Sequence, residues 1–132
     1  MIYVLLDIFF LVFHLMLVMF VLTGWLWRKT RCLHLSAVLL VLASWFLLGL
    51  WYGIGYCPLT DWHWQVLNKL GHRGLPSSYI AYLVQRFTRY TPPEIWVDAA
   101  TAGGAFLALV LSIAGNIRDR RAAKSNRDVH ID

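Results

Sequence analysis

Three long apolar runs divide the chain. The first extends from Ile2 to Trp27, the second from Leu33 to Gly55 and the third from Ile95 to Ile117. Each is long enough to cross a hydrocarbon core of about 30 Å at about 1.5 Å per residue. The pattern therefore predicts an all-α membrane protein with three transmembrane helices, spanning about 2–27, 33–55 and 95–117. The first run carries Asp7 and no Lys or Arg, and it is too long for a cleaved signal peptide, so it reads as an uncleaved span.

The segment between the second and third runs, residues 56–94, is too polar to span. The second run ends in WYGIGYCPLT, where Trp51, Tyr52 and Tyr56 suit the headgroup layer and Pro58 and the glycines stop the helix. Thr60 reads as the cap of a short helix over Asp61 to Leu70, with Gly71 ending it. Pro76, Ser77 and Ser78 start another. In SSYIAYLVQRFTRY, Ile80, Leu83, Val84 and Phe87 recur at helical spacing, while Gln85, Arg86 and Arg89 take other faces. One or two extracytoplasmic interfacial helices are expected here, lying on the membrane or capping the bundle. Whether residues 77–90 re-enter the membrane is open at this point.

Composition agrees with the pattern. Of 132 residues 59% are hydrophobic and 14% charged, more apolar surface than a soluble domain of this length can bury. The formal net charge is +5, and the position of the charges explains it. Arg28, Lys29 and Arg31 follow the first run; Arg118, Arg120, Arg121, Lys124 and Arg127 follow the third. These eight face four basic residues in the outer segment, Lys69, Arg73, Arg86 and Arg89. The asymmetry predicts a membrane protein with its N-terminus outside and its C-terminus cytoplasmic. The lipid bilayer is then the expected partner and nucleic acid is not. Residues 1–117 form a single helical transmembrane domain in this reading, and 118–132 a basic, poorly ordered cytoplasmic tail. Cys32 and Cys57 fall on opposite sides of the membrane, which excludes a disulfide between them.

Polar residues inside the spans are costly in lipid and so carry information. Asp7 and His14 are seven apart, nearly two helical turns, and share one face about 10 Å apart. Ser44 sits about halfway along the second span. Asp98, Thr101, Ala105, Ser112 and Asn116 fall near one stripe of the third. The functional reading is an aqueous pocket open to the outside, with Asp7 and Asp98 at its mouth, His14 at its floor and Ser44 beside it, able to hold an ion or relay protons. The structural reading has His14 bonded to a carbonyl or to Ser44, and the aspartates paired with Lys69, Arg86 or Arg89.

The outer-face motif CPLTDWHW gathers Cys57, Thr60, Asp61 and His63. Thiol, carboxylate and imidazole can together ligate zinc or copper. Asp61 and His63, two apart, point to different faces of a helix, and no CxxC or HxxxH supports a metal. Bis-histidine haem within one chain is disfavoured, since no second histidine shares the depth of His14, although a dimer could supply two. No G-x-S-x-G, phosphate loop or nucleotide fingerprint is present. In DAATAGGA, Ala99 and Gly103, and Ala100 and Gly104, stand four apart, a spacing that lets helix backbones approach closely in lipid.

Taken together, His14 in the first span, Leu33 and His34 opening the second, GYCPLTDWHW and SSYI resemble a family of small bacterial inner-membrane proteins classed as a domain of unknown function. The likeness covers about Asp7 to Asp119. It implies a bacterial source and a small helical bundle, and it singles out His14, Cys57, Thr60, Asp61 and His63 as a set. It implies no activity.

The leading expectation is a non-enzymatic module with a small polar site at its outer face for an ion, a small ligand or a partner subunit, with no cofactor. One alternative is an accessory subunit that docks on a larger membrane complex, or on a second copy, through its small-residue third span. The other is a metal or haem redox protein using Cys57, Asp61 and His63.

Overall fold

The computed structural model describes residues 1–131. Helix α1 covers Ile2–Thr23 and closes in a single 3-10 turn, Gly24–Leu26. A second short turn, Arg28–Thr30, leads into α2, Arg31–Ala43. A π-turn at Ser44–Leu48 carries the chain into α3, Gly49–Tyr52. Helices α4, Pro58–Lys69, and α5, Tyr79–Thr88, fill the connection to α6, Glu94–Ile131. Among the described residues the regular structure is entirely helical.

Three helical stretches are long and apolar enough to cross a membrane: Ile2–Leu26, Arg28–Tyr52 and Glu94–Ile131, with mean hydropathies of 2.7, 2.2 and 1.8. Most of their side chains are not covered by the rest of the chain. Ile2, Leu5, Phe9 and Met16 of α1 and Phe106 and Val110 of α6 are exposed. In water such a surface would drive aggregation, whereas lipid solvates it. On α1 the only two buried side chains are Asp7 and His14. The helix thus turns its polar stripe inward and its apolar stripes outward, the inverse of a soluble helix.

At one end of the bundle α2 and α6 are pinned together. Asn116 donates to the carbonyl of Arg31 at 3.1 Å, and the Arg31 guanidinium reaches Asp119 at 2.8 Å. Gly115 lets Arg31 lie along α6: a Cβ there would stand 3.1 Å from the arginine side chain. Gly24 similarly admits His34, whose Nε2–H donates to the Val21 carbonyl at 2.8 Å.

The expected helix bounds differ from the observed ones at the start of α4 and the end of α6. Helix α4 starts at Pro58, not after Thr60, with Cys57 in the cap position. Proline at the first helical position loses no bond, because that N–H would be an orphan anyway. Gly71 does end α4: at φ 91° it lets its own N–H reach Asn68 and that of His72 reach Leu67, closing the last turn. Helix α6 does not stop at Ile117 but runs on to Ile131, so the basic extension is helical throughout its described part; Asp132 lies outside the described residues. Alternating Arg, Asp, Ala and Lys are adequate helix formers to carry on a helix already nucleated in the span.

Candidate functional site

Between α3 and α6 the chain folds back against α1. His63 of α4 approaches Asp7, and its ring lies 5.7 Å from that of Phe10. Tyr79 of α5 stacks on His14 with ring centroids 3.7 Å apart. Arg86 of α5 grips Asp7. Each partner pair on α1 and α5 is separated by seven residues, in opposite directions. Helix α5 therefore runs antiparallel to α1 beside its N-terminal half, at the level of residues 7–14. It does not lie across the end of the bundle.

The inward face of α5 is Tyr79, Tyr82, Leu83 and Arg86, not the Ile80, Leu83, Val84 and Phe87 face that hydrophobic periodicity selects; Phe87 is exposed. Burying aromatic and cationic groups here satisfies the acid on α1. Ser78 caps α5 by accepting from the amide of Ala81. Leu67, Tyr79, Tyr82 and Leu83 form the apolar core around the site, with Leu11, Trp64, Leu75 and Ile80 packed on it. Trp64 stacks on Tyr79 at 5.4 Å and meets Tyr82 edge-on at 4.9 Å.

The polar chain through this core is continuous. Asp7 Oδ1 accepts from His63 Nε2 at 2.8 Å and from Arg86 Nη1 at 2.9 Å, and Asp7 Oδ2 accepts from Arg86 Nη2 at 3.1 Å. A carboxylate only accepts, so His63 carries its proton on Nε2. Nδ1 must then accept, and the Tyr79 hydroxyl donates to it at 2.9 Å. Arg86 also donates to the Tyr82 hydroxyl. The His63 side chain is 0% exposed, Asp7 11% and Arg86 33%.

Burial holds the His63 imidazole below its ordinary pKa, although Asp7 pulls it the other way. The ring is neutral at pH 7. Burial raises Tyr79 and Tyr82, so both keep their protons. The bonds to Asp7 raise Arg86 further above an already high value. The site thus has one permanent ion pair, Asp7 with Arg86, and a neutral relay, His63 to Tyr79, that ends against His14.

Other expected site residues lie elsewhere. Ser44 donates to the Tyr56 carbonyl at 3.0 Å and serves the α3–α4 connection, not His14. Asp98 is exposed on α6 and, among the described residues, joins no ion pair, whereas Asp7 is buried and paired with His63 and Arg86. Asp61 faces away from His63: it accepts from Gln65 at 3.1 Å and from Tyr56 at 3.4 Å. Both ring nitrogens of His63 are already taken. Cys57 and Cys32 are free thiols. Among the described residues no group of three or more His, Cys, Asp or Glu side chains is placed to hold a metal. Ala99, Ala100 and Gly103 are exposed on α6, and a Cβ at Gly103 would meet nothing within 4 Å; one at Gly104 would touch Leu22 at 3.8 Å.

Sequence reasoning missed Tyr79, Tyr82 and Trp64. The signal was available: Tyr79, Tyr82 and Arg86 fall at i, i+3 and i+7 on one face, a polar aromatic stripe matching Asp7 and His14 in length.

The chain belongs to the family described as Protein of Unknown function (DUF2784), whose model matches residues 4–117. No curated protein and no solved structure gives a match. The matched stretch takes in the whole site, from Asp7 to Arg86, and stops where the basic extension of α6 begins.

Proposed function

We propose that the chain is a multi-pass protein of a bacterial inner membrane, N-terminus outside and basic extension cytoplasmic, that binds a small ligand at the polar site of α1, α4 and α5 without transforming it. Its first 117 residues form the membrane domain. The concentration of basic residues beside the α1–α2 turn and after the third apolar run supports that orientation. On this topology α4 and α5 lie at the depth of the outer half of α1.

The observation that carries the reading is the buried Asp7–His63–Tyr79 chain joined to Arg86, which is one-third exposed. A structural staple alone would be served by apolar packing at least as well, because buried ion pairs are weak sources of stability. Here three elements instead converge their polar groups, and one of those groups remains open to solvent. Chemistry is not expected. His63 is oriented but both nitrogens are occupied, and the tyrosines hold their protons.

The test is a thermal-shift series on detergent-purified protein with inorganic cations, inorganic anions and neutral polyols. At least one class should raise the melting temperature, and Arg86→Gln should abolish that response. If no class shifts the wild type, the binding reading falls.

A second reading is favoured by one observation. Gly103 faces open space on α6, so the spacing of Ala99 and Gly103 goes unused within the chain. A partner helix could pack there. Gly103→Leu would then abolish association while leaving monomer stability unchanged.

A further inference from the structure

Beside Arg86 lies a cleft of about 360 Å³, walled by the α4–α5 loop and the first two turns of α5. His72, Arg73, Pro76, Tyr82, Gln85 and Arg86 contribute to its lining, and no carboxylate does. The volume is at the lower end of what small-molecule sites occupy.

The hydrogen-bond inventory of this lining is one-sided. A guanidinium has five N–H donors. Arg86 uses two on Asp7 Oδ1 and Oδ2 and one on the Tyr82 hydroxyl, which leaves two. Tyr82 accepts from Arg86 and so keeps its own proton to donate, and burial keeps that proton in place. Gln85 has an amide NH₂, and Arg73 is exposed at the rim with all five donors and a full charge. Asp7 neutralises Arg86 from behind, so the charge the cleft presents to a ligand is that of Arg73. The cleft offers a surplus of donors, a net positive charge and no competing acid.

We infer that this cleft binds a small oxyanion of the phosphate class, either free or as the headgroup phosphate of a lipid. The inference rests on the ligand-binding reading above and names its ligand. Arg86, held rigid by Asp7 and Tyr82, presents its spare N–H groups in a fixed fork, the geometry that suits a tetrahedral oxyanion. Tyr82 and Gln85 complete the inner side, and Arg73 closes over the outer side from the loop. Gly71 and Gly74, at φ 91° and 66°, give that loop the bends that bring Arg73 round.

Two arms separate the sources. In the first, detergent-purified protein is titrated with inorganic phosphate at constant ionic strength, with chloride as control, and followed by isothermal calorimetry. In the second, the protein in nanodiscs of phosphatidylcholine or of phosphatidylcholine with phosphatidylglycerol is analysed by native mass spectrometry for retained lipid. Saturable binding in either arm, weakened about five- to tenfold by Arg73→Gln, is the expected result. Arg73 takes no part in the Asp7 network, so this variant should melt with the wild type. Binding unaffected by Arg73→Gln, or absent in both arms, overturns the inference. A cation or polyol whose binding depends on Arg86 would overturn it too, yet leave the ligand-binding reading intact. A protein indifferent to every class loses both.

Discussion

Replacing Asp7 by asparagine removes the carboxylate charge and little volume. The amide side chain can still accept through its one oxygen, but its NH₂ would face a donor, Nη2 of Arg86. One charge-assisted bond is lost outright and another weakened, in a pair now seen at 2.9 and 3.1 Å. Hydrogen bonds to charged groups contribute roughly 1.5–3 kcal/mol each, and breaking a fully buried pair costs about 3–5 kcal/mol. Arg86 is one-third exposed, so water recovers part of its solvation, and about 2–3 kcal/mol is expected overall. The assay is reversible unfolding in mild detergent, read by intrinsic tryptophan fluorescence, to which Trp64, stacked on Tyr79 within the same core, contributes. The sharper test is the double-mutant cycle with Arg86→Gln. Its coupling energy should be about 1–2 kcal/mol. Additive effects, with a coupling below about 0.5 kcal/mol, would show that Asp7 and Arg86 do not meet, and the placement of α5 along α1 would fail with them.

Acid should weaken the fold through His63. Its folded pKa lies below the ordinary 6.5, so the unfolded chain binds the extra proton first; the stability is complete above about 6.5 and declines as pH falls below it. His63→Gln should flatten that decline, and an unchanged slope in the variant would assign it to another group. Tyr79→Phe keeps the stack on His14 but leaves Nδ1 of His63 without its donor, and should lower stability by about 1–2 kcal/mol in unfolding measurements. Gly24→Ala would push a Cβ to 2.7 Å from His34 and 2.9 Å from Phe20, and should lose about 1–3 kcal/mol; Gly103→Ala, with nothing within 4 Å, should lose almost nothing. Equal melting temperatures for the two glycine variants would contradict the packing at the α1–α2 turn.

Much of this arrangement is legible in the residues. A span whose only inward side chains are Asp7 and His14 announces them by their seven-residue spacing, because lipid tolerates such groups only where protein covers them. The three spans follow from run length alone, and Arg86 is among the basic residues that the segment between the second and third spans offers Asp7. The position of α5 is not legible. Periodicity ranks Ile80 and Phe87 above Tyr79 and Arg86, since it counts apolarity and ignores the demand of a buried acid on another helix. The His63–Asp7 contact joins residues 56 positions apart, and nothing local to CPLTDWHW encodes it. Thr60 misleads because a threonine before an acidic turn resembles a cap, whereas Pro58 at the first helical position already fixes the start of α4. The spacing of Ala99 and Gly103 permits close approach, but within the chain nothing approaches Gly103.

Histidine-selective ¹⁵N NMR of the protein in detergent, with His63 assigned by substitution, tests the site most directly. At pH 7 His63 should be neutral with its proton on Nε2, and the Nε2–H resonance should move on Asp7→Asn while the Nδ1 resonance moves on Tyr79→Phe. A doubly protonated ring, the Nδ1–H tautomer, or a His63 signal indifferent to both substitutions would contradict the Asp7–His63–Tyr79 chain on which the proposed function stands.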